Sequence, residues 1–352
     1  MHLMHIEEQT SNSVTSPFET VLARFCGAHH CISVSSSQEA LALALMAIGL
    51  QPGDEVITSP FSGSRSASVI ASLGGIPVFV DIDRSTCNID TALLEGLITS
   101  KTRAIVPTSL FGQPADMEQI NAIAKRNDVV VIEDAAESFG ATYKGKRSCN
   151  LSTIGYTGFA NMDPLISSAG GGAVFTSDDR LAMAMREIVR RSSQHVPMSN
   201  GSSEMGGALA SLSGSLATTR VITFDHELMH RQSVKARYDS LFCGRIDLIG
   251  QARDRTNAHA QYVVLLDDRD RLLTTLQKIA KSVSAFYSIP VSGFLQPGTS
   301  IPDLAAACPV AVDIEKKFLS LPMTSCVHPE FAHHLAATLL RAAGLWVTRP
   351  IR

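Results

Sequence analysis

The sequence predicts an α/β fold: a large domain with a mostly parallel sheet between helices, then a smaller α+β C-terminal domain. Three observations lead there. Short apolar runs, such as Ala104-Ile105-Val106 and Val129-Val130-Val131-Ile132, alternate with helical apolar spacing through the first two thirds of the chain. Such alternation implies parallel strands covered on both faces. Beyond about residue 245 the rhythm changes to sparser strands and helices. The chain has 352 residues, 45% hydrophobic and 18% charged, enough for about two domains with a sizeable core. The boundaries are set at 1–225 and 226–352, with a long connecting helix at about 226–242.

The elements follow in order. Apolar spacing over 18–25 reads as a helix, with Ser16 and Pro17 as its start. Residues 31–34 read as a strand, and 38–50, dense in Ala and Leu, as a buried helix. That helix stops at Gln51-Pro52-Gly53-Asp54, a turn signal. Residues 55–58 restart as a strand, 66–73 as a helix and 77–81 as a strand ending in Asp81. Strands at 104–107, 129–132 and 173–175 follow, with a helix at 116–126 between the first two. The Gly/Ser-rich stretch 194–203 reads as a mobile loop, and 208–220 as a packed helix. The C-terminal unit has a strand at 262–265, a helix at 270–281, an apolar segment at 318–322 and a closing helix at 329–343.

Composition excludes several classes. The formal net charge of −3 gives no global attraction to nucleic acid or an anionic membrane. No apolar run approaches the roughly 20 residues that span a bilayer. The start of the chain lacks the basic and apolar segments of a signal peptide. Seven cysteines at scattered spacings fit free thiols in a reducing compartment, so a cytoplasmic location is expected.

Several blocks occur in a recognisable order. They are Pro52-Gly53-Asp54-Glu55-Val56-Ile57, Pro77-Val78-Phe79-Val80-Asp81-Ile82-Asp83, Leu110-Phe111-Gly112-Gln113-Pro114, Glu133-Asp134-Ala135-Ala136-Glu137-Ser138-Phe139-Gly140, Gly170-Gly171-Gly172 and Leu319-Ser320-Leu321-Pro322. In these blocks the chain resembles the DegT/DnrJ/EryC1/StrS sugar aminotransferases, within the fold-type I pyridoxal phosphate (PLP) enzymes. The resemblance runs from about residue 18 to 340. It implies a nucleotide-sugar substrate, a PLP cofactor and a dimer with active sites at the subunit interface.

The resemblance also assigns site residues. Asp134 matches the acid that keeps the pyridine nitrogen protonated, so that the ring acts as an electron sink. Glu137 matches a position near the cofactor's phenolic oxygen, against the alternative of a solvated helix residue. The remaining positions depart from the pattern. The Schiff-base lysine is replaced by Asp163, and no lysine stands between Lys146 and Lys235. The phosphate-cradling Ser-Gly-Thr turn becomes Ser36-Ser37-Gln38. The ring-stacking aromatic becomes Gly63, and the serine of the Phe-Ser-Phe segment becomes Gly158. The Asn-x-Arg stretch becomes Ser203-Glu204-Met205. A carboxylate offers no amine for a Schiff base and repels a dianionic phosphate. No covalently bound cofactor is therefore expected, and PLP binding is expected to be lost or weak.

Other clusters carry less. Cys26-Gly27-Ala28-His29-His30-Cys31 matches no standard zinc spacing, so no metal is expected. Gly170-Gly171-Gly172 lacks the Lys-Ser/Thr of a P-loop and reads as a tight turn. Arg190 and Arg191 read as a solvated helix face. Asp163 with Asp134 or Glu137 could form a carboxylate pair. Three functions stay open. The preferred one is a catalytically degenerate family member, a partner, scaffold or ligand sensor in a sugar or secondary-metabolite pathway. It would form a homodimer, or a heterodimer with an active paralogue, with a sugar as small-molecule ligand. The others are an enzyme of changed mechanism without a PLP–lysine bond, and a PLP-dependent aminotransferase of the family.

Overall fold

The computed structural model describes residues 16–159, 171–194, 221–285, 304–323 and 327–346. The chain enters through helix α1 (Pro17–Cys26), which is capped as its sequence dictates. Ser16 Oγ accepts from the Glu19 N–H, Glu19 accepts in return from the Ser16 N–H, and Pro17 fills the first turn. Such a reciprocal cap contributes about 1 kcal/mol. Strand β1 (His30–Val34) leads to α2 (Ser37–Ala47), then β2 (Glu55–Thr58), α3 (Gly63–Ser72) and β3 (Ile76–Phe79). A short helix α4 (Thr91–Leu94), β4 (Thr102–Val106), α5 (Met117–Arg126) and β5 (Val130–Asp134) follow. After the small hairpin β6 (Thr142–Tyr143) and β7 (Lys146–Arg147) come β8 (Ile154–Gly158), β9 (Gly172–Thr176) and α6 (Asp179–Gln194).

These strands form one seven-stranded sheet in the order β1-β9-β8-β5-β4-β2-β3. The pairs from β8 to β3 are parallel, and β9 runs antiparallel to both its neighbours. The expected mostly parallel sheet is present. β8 carried no strand signal of its own: it is buried at every position and contains two glycines, so neither alternation nor an apolar run marks it. Helix α2 buries Leu41, Leu43, Ala44 and Leu45, which lie on several sides of it, because α3, α6 and the sheet all pack around it.

The second unit begins with α7 (Phe224–Phe242), whose buried stripe of Phe224, Arg231, Val234, Tyr238 and Phe242 keeps helical spacing. A three-stranded antiparallel sheet follows, β10 (Asp247–Leu248), β11 (Tyr262–Leu265) and β12 (Phe318–Leu321), with α8 (Arg269–Gln277), α9 (Leu304–Ala307), α10 (Pro309–Lys317) and α11 (Pro329–Ala342). One core cluster draws only on residues between Val234 and Leu340. Another joins the two units, with Phe61, Phe79 and Phe111 against Val263 and Phe318. The expected packed helix at 208–220 and most of the expected loop at 194–203 lie outside the described residues.

Candidate functional site

Parallel strands present their carboxyl ends to ligands in this architecture. Asp134 stands at that end of β5, between β4 and β8. Its Oδ1 accepts from the Ala136 N–H at 3.1 Å and its Oδ2 from the Thr108 hydroxyl at 3.4 Å. The Tyr156 hydroxyl, on β8, is a third hydrogen-bond partner. Burial raises the Asp134 carboxyl above its ordinary value; these bonds and the Arg65 guanidinium pull the other way.

Glu137 is buried, not solvated. Its Oε2 accepts from the Phe111 N–H at 2.6 Å and its Oε1 from the Gln261 amide at 3.0 Å. The first bond reaches the loop after β4, the second the segment entering β11. Glu137 therefore ties the two units together at the strand ends. Glu133, the sequence neighbour of Asp134, faces the opposite side of the sheet and accepts from the Cys149 and Leu151 N–H groups at 3.0 and 3.2 Å. In the sequence Glu133 is marked only by strand alternation from Asp134, which puts it in the other layer.

Ser36 caps α2, its Oγ accepting from the Glu39 N–H at 3.1 Å, while Ser37 is the first helical residue and Gln38 is exposed. Gly158 ends β8 and faces Ser37: a Cβ at Gly158 would lie 2.7 Å from the Ser37 Cβ and 3.2 Å from its Oγ. Glycine in place of the resemblance's serine predicts open space at Gly158; the structure corrects this, because the Ser37 side chain fills it. Gly63 opens α3 two residues before Arg65, an exposed cation whose field acts on both Asp134 and Glu137. Sequence reasoning missed Arg65; only its distance of two residues from Gly63 pointed to it. Asp163, and with it the expected carboxylate pair, and the stretch Ser203-Glu204-Met205 lie outside the described residues.

The remaining candidates have ordinary surroundings. Cys26 and Cys31 are buried with Phe18 and Leu22, and His30 pairs with Asp179. Arg190 and Arg191 both pair with Glu187 on an exposed face of α6.

A model of the DegT/DnrJ/EryC1/StrS aminotransferase family matches residues 5–340. The chain belongs to that family. It is 42% identical over 310 residues to the UDP-2-acetamido-2-deoxy-3-oxo-D-glucuronate aminotransferase of Pseudomonas aeruginosa, covering 87% of this chain and 84% of the relative. It is 36% identical to a pleiotropic regulatory protein of Geobacillus stearothermophilus, over 87% of this chain and 82% of that one. Among solved structures, S. venezuelae DesV in complex with a ketimine intermediate matches with a TM-score of 0.78 and 28% identity, covering 95% of this chain and 89% of that one. The fold is that of the family's PLP-dependent aminotransferases.

All nine lysines lie in described segments. Lys144 and Lys146 sit on or beside the β6–β7 hairpin, Lys235 pairs with Asp239 on α7, and Lys101 precedes β4, at the end of the sheet away from Asp134. Lys125 lies in the last turn of α5, Lys278 and Lys281 follow α8, and Lys316 and Lys317 end α10. Asp134 is served by protein donors, both Glu137 oxygens are engaged, and Ser37 lies against Gly158. These residues do not fit PLP held in its covalent form.

The two buried glutamates set a pH dependence. Burial, above all, raises Glu133 and Glu137 to about 7, from an ordinary 4.5. A carboxyl raised in the folded state holds a proton that the unfolded chain releases. The stability it contributes is present below about pH 4.5 and is lost as pH rises toward 7. At about 1.4 kcal/mol per unit, each group costs up to about 3 kcal/mol. Asp83 and Asp254, held below their ordinary values, act in the opposite sense at lower pH. Thermal melts should therefore show greater stability near pH 5 than near pH 8. Glu137→Gln should flatten part of that slope, and an unchanged slope would remove Glu137 from this account.

Proposed function

We propose that the protein binds a nucleotide sugar, or a lysine-bearing relative that handles one, without itself transferring an amino group. The observation that carries this reading is Asp163 at the position of the Schiff-base lysine, with no lysine between Lys146 and Lys235. Saturation of Asp134 and Glu137 by protein donors supports it. In this reading the protein acts as a partner subunit, scaffold or ligand sensor in a sugar or secondary-metabolite pathway. It assembles as a homodimer or with an active paralogue. Among the described residues, no helix is long and apolar enough to cross a membrane.

The 42% identity to an aminotransferase of a UDP-sugar favours a second reading, a PLP-dependent aminotransferase acting on such a sugar. One experiment separates the two. The purified protein is given PLP, glutamate and a UDP-2-acetamido sugar; heat of sugar binding and release of 2-oxoglutarate are both measured. Binding without keto-acid release is the expected result. Turnover within the usual enzymatic range, about 1 per second or more, would overturn the proposal. Sedimentation should show a dimer, alone or after mixing with a lysine-bearing relative.

A further inference from the structure

We propose that the protein completes the cofactor's place with its own side chains: the Tyr156 hydroxyl takes the position of a pyridine N–H at Asp134, and Ser37 takes the strand-end corner at Gly158. The inference deepens the non-transaminating reading above and rests on it.

Two separate contacts carry the argument. Tyr156 lies directly across from Asp134 in the parallel β5–β8 register. It is 2% exposed and packs among Ile132, Ile154 and Val174, so its ring is fixed by the core. Its hydroxyl has hydrogen-bond partners in Asp134 and in Ser66 of α3. The phenol thus joins the end of β5 to the helix that begins at Gly63. A ring nitrogen carrying a proton would compete with this O–H for the same carboxylate. To win, it would have to displace a bond that is already shielded from water and therefore costly to leave unmade.

The second contact is steric. Close-packed interiors do not tolerate Cβ atoms 2.7 Å apart, the separation a side chain at Gly158 would have from Ser37. Ser37 and Gly158 are therefore a matched pair. The hydroxyl-bearing side chain at this corner comes from the helix, and the strand stays bare to admit it. Gly172, paired with Gly158 across β8 and β9, is bare for a related reason, since a Cβ there would lie 2.7 Å from the Ser36 carbonyl oxygen. The corner is built as a unit.

The test uses the full chain and PLP itself as probe, followed by equilibrium dialysis and absorbance. Tyr156→Ala combined with Ser37→Gly and Gly158→Ser should bind PLP at least about tenfold more tightly than the natural protein, without any covalent bond. No gain in that variant while it remains folded, or tight PLP uptake by the natural protein, would overturn the inference. A thermal-melt cycle tests the second contact should Tyr156→Ala fail to fold. Gly158→Ser alone should lower the melting temperature, and adding Ser37→Gly should restore most of the loss. An unchanged melting temperature in Gly158→Ser would overturn the pairing. Amino transfer by the natural protein would instead overturn the proposed function, so the two failures are distinguishable.

Discussion

Gly112→Ala should destabilise the protein by about 2–5 kcal/mol, lowering the melting temperature by roughly 3–7 °C. Two costs combine. Gly112 has φ of +95°, a conformation that costs other residues about 1–2 kcal/mol. A Cβ there would also lie 2.5 Å from the His259 nitrogen and 2.9 Å from the Ala260 nitrogen. Both are backbone atoms and cannot rotate away. The contact is where the loop after β4 meets the segment entering β11, and the Gly112 carbonyl accepts from the Ala258 N–H at 2.8 Å. Phe111, one residue earlier, donates its N–H to Glu137, so the substitution should disturb the strand ends as well. Gly53→Ala separates the two costs. Gly53 has φ of +91°, but a Cβ there meets nothing within 4 Å, so it incurs only the backbone cost. Equal melting temperatures for the two variants would show that the close approach at Gly112 is not a constraint.

Sequence reasoning located most of this architecture because the elements carry local signals. The Ser16-Pro17 start of α1 lies in a reciprocal cap, and strand 55–58 restarts directly after the turn signal at 51–54. Helix α3 begins three residues before its expected start at 66, since Gly63, Ser64 and Arg65 carry no apolar periodicity. β5 runs on to Asp134, two residues past the apolar run, because its ladder with β8 continues through Glu133 and Asp134. Partnership across the sheet was the illegible part. Tyr156 reads as one aromatic among small residues, and nothing local indicates that it faces an acid 22 residues earlier. Ser37 and Gly158 were each read as a loss. Their distance in sequence concealed that one fills the space the other leaves.

Asp163→Lys alone should give no borohydride-reducible PLP adduct and no measurable amino transfer. The change restores the amine that a Schiff base requires. It leaves the rest of the surroundings as they are. Asp134 keeps its Ala136, Thr108 and Tyr156 partners. Gly63 still offers no ring face, forfeiting a stacking contact of about 1 kcal/mol. Ser37 still occupies the corner at Gly158. PLP affinity should therefore rise by less than about tenfold, ~1.4 kcal/mol. A variant that adds an aromatic at Gly63, Ser37→Gly, Gln38→Thr and Gly158→Ser should do more. Residues 37 and 158 have to change together, since serine at both would place two side chains in one space. Removing Tyr156 from that background should raise affinity again if its hydroxyl and a pyridine nitrogen compete for Asp134. Absorbance before and after borohydride, with mass spectrometry of the peptide carrying residue 163, reads each step. A tight, reducible adduct in Asp163→Lys by itself would mean that the lysine was the only contact missing, and that neither Tyr156 nor Ser37 excludes the cofactor.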